Sequence, residues 1–317
     1  MNNTHNAADL AAKIEEMAKA AASKTSAKPA TPPKVQSDFF TPDLYDVVAK
    51  DNFNIMDVAL YRLSKGDKRI DDVIRHELRD GNIVVTAGKD GMATIWDYDL
   101  LIMAISSIVK ELNEYKKRGK TGLVPGRVLR PHITDVLKFL QRKNGGKQRM
   151  DLVESCRRLS TTFLMIERRA KGKDGKGIKT SIQGEPLLSG FKVINNDRGE
   201  PEFLEMELPR WLHQNLIENP TPEVLTMPSG YFSLSQGLEK FLVRLSRQAA
   251  GNSEAKWTFK TIYDRSGSKS TFKKFTFMLR KIIESDDLPD YTLSEERNKA
   301  DTDAILVMKK RKNEEKI

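Results

Sequence analysis

An α+β fold made of two similar units in tandem is predicted by three observations. A long helix, two short helices around a turn and a pair of strands occur in that order twice along the 317 residues. Pro220, Pro222 and Pro228 punctuate the chain between the two copies and set a boundary there. Net positive charge is concentrated in two blocks. Residues 127–180 hold 15 Lys/Arg against 5 Asp/Glu, and residues 227–317 hold 18 against 13, whereas residues 181–226 between them hold 3 against 8. In a chain of net charge +10, two cationic segments split by an acidic one point to two contact surfaces on a polyanion.

Residues 1–37, rich in Ala, Lys, Ser, Thr and Pro, are expected to be a disordered tail and linker. The first domain is expected over 38–226. Strands are predicted over 73–78 and 83–87, joined through Asp80-Gly81, a hairpin signal, and a third strand over 92–96. Asp97 is the expected N-cap of a central core helix whose apolar stripe runs from Leu100 to Leu112 and which stops at Lys116-Lys117-Arg118-Gly119. Helices over 133–141 and 148–159 flank the turn Asn144-Gly145-Gly146 and fit a helix-turn-helix. A hairpin with strands over 161–169 and 178–183 follows, and its tip over 170–177 is nearly all Lys and Gly. That is a flexible cationic finger, the wing of a winged helix. Strands over 187–194 and 202–208 and a short helix over 211–217 complete this domain.

The second domain, 227–312, repeats the plan. It has a striped helix over 232–248, a short helix over 257–263, the turn Asp264–Gly267, a further helix over 268–283, and strands over 291–296 and 304–308. Residues 313–317 are a charged tail. The fold expected is therefore two tandem winged-helix domains behind a disordered N-terminal tail.

The helix over 268–283 is the most informative element. At 100° per residue, Phe272, Phe275, Met278, Leu279, Ile282 and Ile283 form a core arc. Ser270, Lys273, Lys274, Arg280 and Lys281 form the outer face, which carries no acid before Glu284 and holds Phe277 in its middle. The approach through Gly-Ser-Lys-Ser puts N–H groups and hydroxyls at a helix N-terminus, a position that favours phosphates. An ordinary helix with a basic outer face has the same pattern, and the residues alone do not choose.

No chemistry of catalysis is visible. His5, His76, His132 and His213 are too dispersed for a metal cluster, and the single Cys156, on an apolar arc, excludes a disulfide framework. The stretch from Gly172 to Thr180 brushes against a phosphate-loop pattern but has Ile178 where Lys is required. No cofactor, metal or catalytic residue is expected. The chain has no run of about 18 apolar residues and no signal-peptide core, so a cytoplasmic protein without membrane partners is expected.

Tyr61–Arg69 and, more specifically, Gly91-Met-Ala-Thr-Ile-Trp-Asp-Tyr-Asp-Leu-Leu-Ile102 resemble the N-terminal region of plasmid replication initiators of the replication initiator protein A family. Gly230–Ser235 and Ser268–Lys281 resemble their C-terminal region. The resemblance implies tandem winged helices that bind direct repeats at a plasmid origin. It further implies help in melting the adjacent duplex, recruitment of the host replication initiator and replicative helicase, and dimers formed through the first domain. The family has no motif that names base-reading residues.

The expected function is a non-enzymatic, sequence-specific binder of double-stranded origin DNA. Its candidate contacts in the second domain are Ser268, Lys269, Ser270, Lys273, Lys274, Phe277, Arg280 and Lys281. In the first domain they are Lys147, Arg149 and Arg158 on the helix, and Arg168, Arg169, Lys171, Lys173 and Lys176 on the wing. Asp151 and Glu154 dilute the face of that first helix. The alternative is a winged-helix transcriptional repressor without a replication role. A strand-nicking enzyme would need a tyrosine beside grouped His or Arg residues, and a single-strand coating protein would need stacking aromatics on a sheet. Neither pattern is present.

Overall fold

The computed structural model describes residues 39–52, 55–65, 70–78, 81–171, 178–218, 223–297 and 304–312. The expected tail over 1–37, the charged end over 313–317 and most of the Lys-Gly tip, residues 172–177, lie outside the described residues.

A short strand β1 (Lys50–Asn52) precedes the antiparallel hairpin of β2 (Val73–Leu78) and β3 (Gly81–Thr86), in register from Val73↔Thr86 to Leu78↔Gly81. The strand expected over 92–96 does not form. Thr94 and Asp97 make a capping box, with Thr94 N donating to Asp97 Oδ2 at 2.7 Å, and this starts the helix α1 (Ile95–Lys117) two residues ahead of the expected cap. Asp97 is therefore the third helical residue and Thr94 the cap. Every residue of α1 from Asp97 to Val109 is buried, so the expected stripe is wrapped all round by other elements, as befits a central helix. Ser106 and Ser107 satisfy their hydroxyls on the carbonyls of Ile102 and Met103 at 2.6 and 2.8 Å.

β4 (Val128–Leu129) leads to α2 (Ile133–Phe139) and α3 (Gly146–Thr161). His132 caps α2, its Nδ1 accepting from Thr134 N at 3.1 Å. Next come β5 (Phe163–Lys171) and β6 (Ile178–Pro186), then β7 (Gly190–Asn195), β8 (Pro201–Glu207) and α4 (Arg210–Glu218). β9 (Val224–Thr226) turns back to pair antiparallel with β1.

In the second half, Gln236 and Glu239 form a capping box that starts α5 (Gly237–Ala249), five residues later than the apolar stripe suggests. A 3-10 turn, Tyr231–Ser233, occupies part of the difference. Trp257, expected in a helix, is in β10 (Glu254–Thr258) opposite Leu306, because Thr258 is the cap of α6 (Phe259–Arg265) and accepts from Thr261 N at 3.1 Å. α7 (Phe272–Ser285), β11 (Tyr291–Arg297) and β12 (Ala304–Lys310) close the described chain.

The fold is α+β, and a six-element pattern recurs in it. α1-β4-α2-α3-β7-β8 carries a sheet in the order β4-β8-β7, and α5-β10-α6-α7-β11-β12 carries one in the order β10-β12-β11. In both, the strand after the first helix pairs with the last strand. The hairpin β5–β6, expected to be the first unit's wing, does not occupy that place. β5 pairs instead with β3, giving a separate four-stranded sheet β2-β3-β5-β6. The hairpin that matches β11–β12 is β7–β8.

The two repeats share one core. A single hydrophobic cluster contains Leu101 of α1, Leu152 of α3, Phe241 of α5 and Leu279 of α7. α5 packs so closely on the first unit that a Cβ at Gly237 would run into the Leu63 carbonyl oxygen. Among the described residues no helix is long and apolar enough to cross a membrane.

Candidate nucleic-acid interface

α7 keeps the expected period but starts at Phe272, four residues after the expected 268, and Phe272, expected in the core arc, is 37% exposed because it stands at the helix start beyond the packed stripe. Thr271 accepts from Lys274 N at 3.3 Å and starts the helix, and Asp286, with φ 47°, ends it in the left-handed region. Phe275, Leu279 and Ile282 are buried, while Met278 and Ile283 pack partly covered against the core. Phe272 leans edge-on against Tyr263. Lys273, Lys274 and Lys281 are exposed on the opposite face, and no carboxylate among the described residues pairs with them. Phe277 stands between them, 58% exposed, with Lys281 Nζ 4.6 Å from its ring centre.

Arg280 differs from its neighbours. Its Nε and one terminal nitrogen donate to the two carboxylate oxygens of Glu295 on β11, both at 2.8 Å. The guanidinium holds the Glu295 carboxyl below its ordinary range, and its own charge is largely spent inside the unit.

The approach to α7 is tied down rather than open. Ser268 and Ser270 hydroxyls bond each other at 2.9 Å, and Tyr263 O–H donates to the Ser270 carbonyl at 2.7 Å. Lys269 Nζ lies 2.7 Å from Asp72 of the first unit. The buried Arg62 guanidinium bonds the same Asp72 and also donates to the Gly267 carbonyl at 2.5 Å. Gly267 holds φ 60°, a conformation glycine adopts without strain.

α3 presents a mixed face. Lys147 is exposed at its N-terminus. Arg149 donates to Asn144 Oδ1 at 3.0 Å and to the Pro201 carbonyl at 2.9 Å. Arg158 makes two 2.8 Å bonds to the Asp97 carboxylate, so it braces α3 against α1. Asp151 and Glu154 lie on the same side, Glu154 facing Arg157 at 3.7 Å. On β5, Arg168 is half-buried and Arg169 is bound to Glu167 at 2.8 Å. Lys171 ends β5, and its side chain, with all of Lys173 and Lys176, lies outside the described residues.

The structure brings α3 and the approach to α7 to one side. A cleft of about 500 Å³ is lined by Asp151, Glu154 and Arg158 of α3. A second, of about 750 Å³, is lined by Ser268, Lys269, Ser270 and Lys274. Lys65 and Trp96 border both, with Lys65 Nζ 4.4 Å above the indole. Sequence reasoning did not single out Lys65 or Trp96. They come from a loop and a helix start far from either basic helix, and only the fold places them between the clefts. The one available signal was the charge run from Lys65 to Arg69.

Among the described residues no group of three or more His, Cys, Asp or Glu could hold a metal ion. Cys156 is buried, and burial pushes its thiol far above the ordinary range. His76 and His213 are buried and donate from Nε2 to the carbonyls of Ala59 and Pro125, both at 2.9 Å.

The comparisons with known proteins fit this geometry. A Wigglesworthia glossinidia brevipalpis protein named for a role in replication is 23% identical over 265 residues, covering 82% of this chain and 90% of that one. Among solved structures, domains 2 and 3 of RctB align with TM-scores of 0.51 and 0.53 in two crystal structures, at 11% and 12% identity. They cover 81% of this chain and 96% and 98% of theirs, a likeness of fold. The model of the family Replication initiator protein A matches residues 50–293, and the chain belongs to that family.

Proposed function

We propose that the chain is a sequence-specific binder of double-stranded DNA that starts plasmid replication by occupying direct repeats at an origin. Each six-element repeat acts as a winged helix, and the two form a tandem. α7 enters a major groove. Lys273, Lys274 and Lys281 meet phosphates or guanine edges, and Phe277 meets a thymine methyl. α3 takes the adjoining groove, with Lys147 at its end. The cationic β5–β6 hairpin grips backbone, although by topology it is an insertion and β7–β8 is the first unit's wing.

The observation that carries this reading is the outer face of α7. It holds three exposed lysines, which have no acidic partner among the described residues, and an exposed aromatic, in a family of replication initiators. A solvated helix face usually mixes Lys with Glu, and this one carries lysines alone around Phe277. The chain works by binding and needs no catalytic group or cofactor of its own. The host initiator and the replicative helicase are its downstream partners, and a second copy associates through the first unit.

Footprinting on the DNA beside the gene tests this. Protection is expected over direct repeats of about 20 bp, close to two duplex turns. A plasmid carrying only the gene and those repeats is expected to replicate. Protection and promoter repression without replication would favour a repressor, and no protection at all would overturn the reading.

A further inference from the structure

α1 touches both basic helices' supports within a single turn. Asp97 holds α3 through the paired bonds to Arg158, and two residues later Asp99 holds α5 through Lys240. Lys240 is 0% exposed, its Nζ 2.7 and 2.8 Å from the two Asp99 oxygens, and Arg142 reaches the same carboxylate at 3.1 Å. One turn along α5, Arg244 is equally sealed. Its Nε is 2.5 Å from Asp51 Oδ2, and its guanidinium lies 4.5 Å from the centre of the Tyr98 ring. Tyr98 O–H in turn donates to Asp51 at 2.9 Å. A third tie runs to the approach to α7, where Lys269 and Arg62 converge on Asp72. A fourth joins the turn before α7 to the first unit, with Arg265 paired to Asp57 at 2.8 Å and the Arg265 carbonyl accepting from Ala59 N at 2.9 Å.

The shared apolar core already joins the two units through close packing. Buried charge pairs have one registry, because any shift leaves a charge without its partner in a low-dielectric interior. Four ties cross between the units, two between fully sealed charges and two at part-exposed ones, and with the shared core they go beyond what a joint between independently moving domains requires.

We propose that Lys240, Arg244, Asp51 and Asp99 are positioning residues that fix the separation of α3 and α7, so that the protein measures the spacing between two groove contacts within one DNA repeat. This rests on the DNA-binding reading above. A rigid bracket reads one spacing. A tandem on a flexible joint would tolerate extra base pairs and would recover affinity when a full turn is inserted.

Two measurements test the proposal. First, spin labels at Met150→Cys on α3 and Glu284→Cys on α7 report their separation in the free full-length protein. One narrow distance is expected, and a broad distribution would overturn the bracket whatever the DNA result. Lys240→Met with Asp99→Leu, which removes both sealed charges and leaves only the part-exposed Arg142 without its carboxylate, is expected to broaden it, and a distribution left narrow would overturn the role of this pair. Second, a duplex selected by the wild-type protein from a random pool is given 1, 5 or 10 bp inserts at its centre. A loss of at least about 100-fold is expected for all three, because even the full-turn insert moves the far contact by about 34 Å. Recovery at 10 bp would overturn the ruler while leaving DNA binding intact. Failure to select any duplex would instead overturn the DNA-binding reading, and the ruler with it.

Discussion

Lys240 of α5 and Asp99 of α1 form an ion pair closed to solvent, with both carboxylate oxygens within 2.8 Å of the ammonium. Burial lowers the Lys240 pKa and raises that of Asp99, and each opposes the other's shift through its charge. Removing one partner leaves the other buried and uncompensated. Lys240→Met alone is expected to cost about 3–5 kcal/mol in urea denaturation. The paired exchange Lys240→Met with Asp99→Leu is expected to restore most of that loss, since an apolar pair carries no desolvation cost.

In the proposed function the lysines of α7 serve DNA binding and not folding. Lys273→Glu with Lys281→Glu is expected to leave the melting temperature within about 2 °C, as exposed changes away from caps and ion pairs do. In fluorescence anisotropy the same variant is expected to lose specific binding. Single Lys→Ala changes at 273 or 274 are expected to lower the salt slope of binding by about 1. Arg280 is a separate case. Arg280→Glu sets a carboxylate against Glu295, so its effect on binding is expected to come with a lower melting temperature.

Arg158 is expected to behave as a brace. Arg158→Ala strands Asp97, which also serves the capping box of α1, and about 2–3 kcal/mol of stability should go with the charged hydrogen bonds. Lys147→Ala, at the exposed end of the same helix, should leave stability unchanged and weaken binding to all duplexes alike. Equal melting curves for the two variants would refute the distinction.

Stability should fall on mild acidification. Desolvation lowers the folded-state pKa of both His76 and His213 from an ordinary 6.5. Above that value the rings are neutral in both states and the contribution is complete. As pH drops below it, the unfolded chain binds protons that the folded chain refuses, so stability is lost as pH falls toward the folded values. Thermal melts from pH 8 to 5 should decline below about 6.5. His76→Gln with His213→Gln, which keeps a donor for each carbonyl, should flatten that limb.

The helical period of the second basic helix was legible over most of its length, Phe272 at its start being the exception. Phe275, Leu279 and Ile282 went inside and Lys273, Phe277 and Lys281 outside, because a 3.6-residue repeat is a property of the local chain. The β2–β3 hairpin was legible for the same reason, through Asp80-Gly81 between two alternating runs. Helix starts were less so. Thr94 and Asp97 share a capping box, and the more familiar carboxylate was the wrong one of the two to choose as cap. Trp257 has no local mark that separates a strand from a helix, and Thr258 settled it.

By itself, then, the amino-acid sequence determined the α+β class, most of the longer elements and the two cationic segments, since propensity, periodicity and charge are written along the chain, while the family was legible through the resemblance of particular motifs. Tertiary structure alone decided that β5–β6 joins β3, that Arg158 and Arg280 spend their charge on Asp97 and Glu295, and that Lys240 and Arg244 are sealed against Asp99 and Asp51. Those pairings join residues from 15 to 193 positions apart. Which partner neutralises a charge depends on where the packed elements bring it, and no local pattern records that.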